Sequence, residues 1–521
     1  MGQEPNLTRR TLLSGAAAAG AASLIRPAAG LAGALAGREL ISARWIGALR
    51  GESPPLRAPG RFVLLGIEWQ APAGAAVEIR AQAPSGRWSR WAPASALGHD
   101  PDGRSPQGGL FGEPVWTGPA DVFQVRADRA VEGLRVHFVG ATPPAARPAA
   151  ASAAHPVLPA GPGQPPIIAR RAWGEGQARP RHAPTYGTVK LAFVHHTVNP
   201  NGYGAAAVPA MLLSIFQYHV FVRGFWDIAY NFIVDLYGRI WEARAGGIDM
   251  AVIGAHAGAY NAQSTGVAVL GDFMNVVPSQ AALAALERLL AWKLSLHGVP
   301  AAGRTTVIVD PASAYYTPFA PGAHVSLPRI AGHRDGDATD CPGNAFYAQL
   351  PSIRPRVESL AGTPARATVS TPPAVVIAGT QTTVSGRLQT LAGQPLAGAP
   401  IELQQLRLTG LSAAATTIAT ATTAADGSWS LPLTPTADTM LRALHRQRPA
   451  AVSDWAAVAV APAVTLTVAS AAPLRVTGTV VPGKRRVTVD LYRPGRTSGK
   501  PVASHTVGVA RGRFAATLRA P

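Results

Sequence analysis

The hydrophobic rhythm of the chain changes several times. Between about Glu39 and Gly140 apolar and polar residues alternate with a period of two. Val77, Ile79 and Ala81 are separated by Glu78, Arg80 and Gln82, and Val122–Arg126 and Leu134–Phe138 repeat the pattern. This predicts short antiparallel strands and a β-sandwich-like domain over 39–141. Trp88 and Trp91 lie at a strand end, where packing into the core is expected over stacking on a sugar ring. Residues 142–166 collapse into Pro, Ala and Gly, a stiff linker that cannot build a core. Over 167–361 apolar strands (Leu191–Val194, Tyr230–Asp235, Gly266–Leu270) are interspersed with helical patterns at Val208–Val220 and Ser279–His297. The second helix has Ser279 as N-cap, Leu283, Leu286 and Leu290 on one face, and Gly298 as its stop. The mixture predicts an α/β domain. From 367 onward the period of two returns within an internal repeat. Thr383–Arg387, Pro400–Gln404 and Asp426–Leu431 correspond to Val476–Thr479, Val487–Leu491 and Arg511–Ala516. Tandem Ig-like β-sandwiches are predicted over 367–461 and 463–521. The second copy stops where the first continues, so it reads as incomplete and the chain as a fragment.

Composition narrows the class. At 521 residues the chain is multidomain, and its 47% hydrophobic and 14% charged residues exclude a charge-driven disordered polymer. Lys+Arg 47 against Asp+Glu 28 gives 47 − 28 = +19. Lysine occurs only at 190, 293, 484 and 500, and no nucleic-acid motif or lysine-rich arm is present, so no nucleic-acid partner is expected. Arg9-Arg10 precede a weakly apolar stretch, Ser14–Ile25, that is broken by Gly15 and Gly20 and is shorter than the ~20 residues a bilayer demands. Residues 1–36 therefore read as a twin-arginine-type export signal with a cleavage site near Ala34-Leu35-Ala36. No later stretch reads as a transmembrane segment. A secreted location follows as an expectation.

Candidate chemistry gathers in the α/β region. His195 and His196 end an apolar strand, His333 stands in Gly332-His-Arg-Asp335, and Cys341, the only cysteine, lies in Asp340-Cys-Pro-Gly343. A single cysteine excludes an intramolecular disulfide, and an unpaired one in an exported protein is either inert and buried or chemically employed. Two imidazoles and a thiolate suit zinc, with a fourth position left open. Spacing alone equally admits surface histidines and a core cysteine.

Six segments, in order, carry a resemblance: Ile167–Gly174, Val194–Thr197, Trp226–Phe232, Gly254–Asn261, Thr265–Val269, and Gly332–Asp335 with Asp340–Gly343. Together they resemble the zinc-dependent N-acetylmuramoyl-L-alanine amidase and peptidoglycan recognition protein family over about 167–356. The resemblance implies a central mixed sheet flanked by helices and one Zn2+ held by His195, His333 and Cys341. It also implies hydrolysis of the amide between the lactyl group of muramic acid and the first L-alanine of the stem peptide. His196 would then point to the other face of its strand as a structural residue, as would His219 and His297 elsewhere. The family's catalytic tyrosine falls on Tyr230. Thr339 stands where phage amidases have lysine and many recognition-protein amidases have threonine, so only a hydroxyl is available there. Zinc would activate water and polarise the carbonyl, with Tyr230 and Thr339 as donors to the oxyanion. Cys341 would be a thiolate ligand and not a nucleophile. His256, Asn231 and Asn261 are candidate substrate contacts, His256 alternatively an orienting partner for a ligand. The implied partner is peptidoglycan, both glycan strand and stem peptide, with the positive charge adding loose attraction to an anionic cell wall. Competing readings are a non-catalytic peptidoglycan-binding module and a zinc amidase acting on peptide crosslinks or soluble muramyl peptides.

Overall fold

The computed structural model describes residues 40–70, 75–94, 102, 109–140, 157–158, 163–174, 176–372, 375–409, 412–471, 473–481, 485–493 and 500–518. The expected export signal at 1–36 and most of the 142–166 linker lie outside the described residues.

The N-terminal region forms one six-stranded sheet from β1 (Ile41–Glu52), β2 (Leu56–Gln70), β3 (Val77–Gln82), β4 (Ala92–Pro93), β5 (Leu110–Phe111) and β6 (Val115–Gly140). The two short strands expected at Val122–Arg126 and Leu134–Phe138 are parts of the single long β6. β2 lies between the two arms of β6, so that Leu64 faces both Trp116 and Val139. Leu65, Ile67, Phe123, Val125, Val136 and Phe138 fill the core of this sheet. Because successive strand residues point to opposite faces, Leu64 and Val139 leave that core and pack with Met211, Leu212 and Phe216 of the next domain. Trp88 and Trp91 are half-buried and not core residues. The Arg80 guanidinium lies 4.8 and 4.4 Å from their ring centroids and holds them at the sheet surface.

The second region is a seven-stranded mixed sheet. Its strands are β7 (Val157–Leu158), β8 (Ile167–Ile168), β9 (Leu191–His196), β10 (Phe232–Val234), β11 (Ile240–Glu242), β12 (Ser264–Val269) and, after the separate hairpin β13 (Arg304–Ile308) and β14 (His324–Pro328), β15 (Ile330–Gly332). The order is β15-β9-β12-β10-β11-β8-β7. Val157 and Leu158, inside the expected linker, thus add an edge strand. β9 is buried along its whole length between two parallel neighbours, which explains its unbroken apolar run. The helices are α1 (Arg171–Gly174), α2 (Val208–Gln217), α3 (Gln280–Leu296), α4 (Asn344–Tyr347) and α5 (Leu350–Ala361). Val194, Val234 and Val267 face Leu286, Leu290 and Ile353 of α3 and α5, while Ile233 and Ala268 face α2. The sheet is therefore sandwiched between helical layers.

α3 begins as its sequence predicts, with the Ser279 hydroxyl accepting the Ala282 N–H at 3.1 Å, and it ends at Gly298 with φ +67°. α2 departs from expectation. Its last turn widens into a π segment, Tyr218–Val222, which turns both Tyr218 and His219 into the interior. Ala205–Val222 is long and apolar enough to cross a membrane by length and composition, contrary to the sequence reading. It is instead mostly buried between the central sheet and the N-terminal domain.

In the C-terminal region, Ala365–Ala367, Thr382–Thr390 and Ser428–Leu433 form one sheet, and Pro400–Thr409, Ser412–Thr422, Thr439–His445 and Ala451–Val452 another. Val384, Leu388, Leu403, Trp429 and Leu441 fill the space between them. The last strands enclose Val476, Val480, Val489 and Phe514. The repeat has a steric signature. A Cβ on Gly386 would come 2.6 Å from the Trp429 ring, and one on Gly478 would come 2.5 Å from the Phe514 ring. Each copy presses an aromatic ring onto a bare backbone.

Candidate metal centre

β9 delivers His195 to the rim of the sheet, while the turn after β15 delivers His333 and the loop before α4 delivers Cys341. One ligand atom from each lies within 4.8 Å of the others, and all three residues are buried. His195 Nδ1 stands 3.7 Å from Cys341 Sγ. A tetrahedral zinc with ordinary Zn–N and Zn–S bonds separates such donors by roughly 3.5 Å, so the residues fit the metal in both chemistry and spacing. Burial above all, with the charge of Glu113, pushes the Cys341 thiol well above its ordinary value. A cation bound between the three would reverse that, because it favours the thiolate.

The remaining ring nitrogens fix which atoms face the centre. His195 Nε2 meets His256 Nδ1 at 3.3 Å, and His333 Nε2 meets the Asp337 carboxylate at 3.0 Å. With the proton on each Nε2, each Nδ1 presents a lone pair inward, the tautomer a metal between them would select. Asp337 is itself buried, which raises its pKa, an effect its bond to His333 opposes. His256 is held rigidly: a Cβ on either Gly254 or Gly266 would come within 2.4 Å of its ring. It is wholly buried and orients His195, one of the two roles the sequence left open. His196 points away and accepts the Phe273 N–H at 3.3 Å, and burial lowers its pKa to about 3. His219 accepts the Ala229 N–H and stacks on Phe225 with ring centroids 5.2 Å apart. His297 caps the C-terminal end of α3.

Tyr230 packs against His195 with ring centroids 5.3 Å apart. Burial, then the charges of Glu113 and Cys341, raise its phenol well above the ordinary value, so the proton stays on oxygen. Thr339 is half-buried beside the loop, and its hydroxyl accepts the Cys341 N–H at 3.2 Å, which ties it to the loop's shape. Two of the candidate substrate contacts are tied to backbone. The Asn231 amide donates to Val252 O at 2.9 Å and accepts the Gly266 N–H at 2.7 Å. Asn261 accepts the N–H groups of His256 and Ala257 and donates to Gly258 O. Both side chains are committed to backbone. They brace the backbone beside Tyr230 and His256.

Sequence reasoning missed one acidic residue at the centre, Asp337, and one buried in the N-terminal domain, Glu113. Asp337 follows His333 by four positions, a spacing that could have flagged it. Glu113 comes from the N-terminal domain, between β5 and β6, and is 4% exposed. Burial raises its pKa to about 8, with Arg223 opposing.

A family model described as N-acetylmuramoyl-L-alanine amidase matches residues 185–344, and one described as Rv3811 N-terminal galactose-binding domain-like matches residues 50–157. The chain is 34% identical over 186 residues to peptidoglycan-recognition protein 1 of Holotrichia diomphalia, covering 36% of this chain and 79% of that protein. It is 29% identical over 190 residues to N-acetylmuramoyl-L-alanine amidase of Sus scrofa, covering 36% of this chain and 27% of that protein. The solved structure of Drosophila PGRP-LB aligns at 24% identity with a TM-score of 0.28, covering 36% of this chain and 92% of that one.

Proposed function

Because this chain belongs to the N-acetylmuramoyl-L-alanine amidase and peptidoglycan-recognition protein family, we propose that it is a zinc-dependent peptidoglycan hydrolase. The bond cleaved is the amide between N-acetylmuramic acid and the L-alanine of the stem peptide. One observation carries the reading: two imidazoles and a thiol from three separate segments converge within 4.8 Å, with Tyr230 against the same cluster.

His195, His333 and Cys341 would hold the metal. When bound, zinc supplies Lewis-acid polarisation of the scissile carbonyl and of a water. The chain's own residues do the rest. His256 and Asp337 hold the two imidazoles in the tautomer that faces the centre. Tyr230, kept protonated by burial, donates to the developing oxyanion. Thr339 stabilises the loop that carries Cys341 and lends a hydroxyl at its edge.

The export signal fits a protein that acts outside the cytoplasm after folding around its metal. The net positive charge suits an anionic wall, and the C-terminal repeats are Ig-like modules that extend the enzyme along it.

The test is to incubate the zinc-loaded full chain with peptidoglycan and follow stem peptides by mass spectrometry. Release of peptides with a new L-alanine amino terminus, lost in Cys341→Ser, is the expected result. Intact glycopeptide, with tight binding retained in Cys341→Ser, would mark a binding module instead.

A further inference from the structure

The hairpin β13–β14 is joined by residues 309–323, far more than the roughly 2–5 residues a hairpin loop needs. A connection of that length with no helix or strand of its own is usually functional. Val307, Val309, Val325 and Leu327 pack with Leu191 and Phe193 of β9, so the hairpin is fixed to the strand that carries His195. From Pro311 to Ala323 the loop contains no charged side chain. Two of its aromatic residues are nevertheless left at the surface, Tyr315 at 45% and Phe319 at 36% exposure.

The loop is pinned to the two segments that support the ligands. At its base the Asp310 N–H donates to Ala259 O at 3.1 Å and the Ser313 hydroxyl to Gly258 O at 3.4 Å, on the segment that follows His256. Further along, the Ala338 N–H donates to Tyr316 O at 2.8 Å. The Thr317 hydroxyl donates to Gly336 O at 2.8 Å and meets the Tyr260 hydroxyl at 2.8 Å. Gly336 and Ala338 flank Asp337, the partner of His333, and Ala338 immediately precedes Thr339. One backbone hydrogen bond therefore joins the aromatic run to the rim before Cys341, where Ala338 and Asp340 are both exposed. Pro311, Pro318 and Pro321 restrict the backbone further. Rings displayed on so constrained a loop lose little freedom when they bind.

We propose that loop 309–323 is a saccharide platform, on which Tyr315 and Phe319 stack against sugar rings of the glycan strand beside the muramic acid whose amide is cut. The occupant follows from chemistry. A stem peptide carries free carboxylates, for which an uncharged aromatic loop offers no partner. The N-acetylated sugars of the strand are neutral and present flat C–H faces that suit an aromatic ring. The strand is also covalently continuous with the bond at the centre, so its neighbouring sugars have to pass over the surface around that rim. Contacts remote from the scissile bond then hold the amide in register for attack. Where the strand lies rests on the hydrolase reading, but saccharide binding is measurable without turnover.

The experiment compares full-length, zinc-loaded wild type with Tyr315→Ala/Phe319→Ala, and with Trp45→Ala on an exposed strand as control. Calorimetric titration with a peptide-free N-acetylglucosamine tetramer reads binding. Turnover is read as kcat/KM on soluble glycan strands bearing stem peptides and on a single-sugar N-acetylmuramoyl peptide. Circular dichroism melting identifies any variant that has lost its fold. Wild type and Trp45→Ala are expected to bind the tetramer, and the double variant about tenfold more weakly or worse. On glycan strands the double variant is expected to lose a similar factor in kcat/KM, while on the single-sugar substrate it matches wild type. No tetramer binding to wild type would overturn the platform whatever the variants do, and so would equal affinity in the folded double variant. An equal fall on both substrates would overturn it as well, since the loop would then act through Gly336–Ala338 and not through a sugar. If tetramer binding is lost in the double variant while no protein cleaves either substrate, the platform stands and the hydrolase reading falls.

Discussion

At His333, the nitrogen that faces the metal is decided by the one that does not. The Asp337 carboxylate holds Nε2–H at 3.0 Å with both groups buried. Asp337→Asn keeps the shape but can present its amide N–H to the ring, which permits the wrong tautomer. Zinc affinity is expected to fall about 10–100-fold, measured by competition with a chelator of known affinity; an unchanged affinity would remove Asp337 from the site's support. Tyr230 separates binding from chemistry in the other direction. Tyr230→Phe retains the ring against His195 and removes only the hydroxyl. Zinc content is expected to stay at wild-type level while kcat falls roughly 10²–10³-fold with little change in KM. A parallel rise in KM would mean that the hydroxyl serves ground-state binding. The cluster of His195, His333 and Cys341 was legible because each member sits in a short recognisable motif. The backbone bonds of Asn231 and Asn261 were not legible, because an asparagine in a turn looks the same in sequence whether it faces a substrate or its own backbone.

Among the elements, α3 was legible almost to the residue, since its cap, apolar face and terminating glycine are all local signals. The π segment Tyr218–Val222 was not, because the extra residue in that turn is favoured only by what it meets: the sheet below and Gly66 of β2 above. α3 also contains a residue whose setting no pattern reveals. Lys293 is buried, and its ammonium donates to Ile248 O at 2.8 Å and Met250 O at 2.7 Å. Burial pulls its pKa down to about 7, opposed by Asp249 and reinforced by Arg442. The unfolded chain holds the same proton to about pH 10.4. The folded state therefore favours the neutral amine, and this contribution to stability is complete above the unfolded value and lost as pH falls towards 7. Of the neighbours, burial keeps His297 neutral across this range. Unfolding free energy is expected to rise between pH 7 and pH 9 more steeply in wild type than in Lys293→Met. The difference approaches at most about 1.4 kcal/mol per pH unit. Urea titrations at the two pH values check it, and equal slopes would mean that the two carbonyls hold the charged form.

Across the whole molecule, the amidase unit is gripped from two sides in different ways. On the N-terminal side Leu64 and Val139 enter the apolar cluster around α2, the Tyr218 ring lies against bare Gly66, and Asp102 pairs with Arg244. On the C-terminal side, Leu444 and Ala450 enter the amidase core beside α3 and α5, and Arg442 pairs with Asp249 while bonding Gln404 of its own sheet. Neither joint could be read from the sequence. Each depends on how separately folded units dock, and the pairs are distant in the chain: Asp102 with Arg244, Asp249 with Arg442. The C-terminal joint should behave as a fixed one. Arg442→Met leaves the half-buried Asp249 carboxylate without its partner, a change that costs about 3–5 kcal/mol in a fully buried pair and less here, where Asp249 is 19% exposed. Its thermal midpoint is expected to fall clearly, whereas Asp249→Asn/Arg442→Met, which removes both charges, recovers most of the loss. If the single variant melts like wild type, the ion pair is not coupling the two units. If the double variant melts as low as the single, Arg442 matters through its packing and its bond to Gln404 instead.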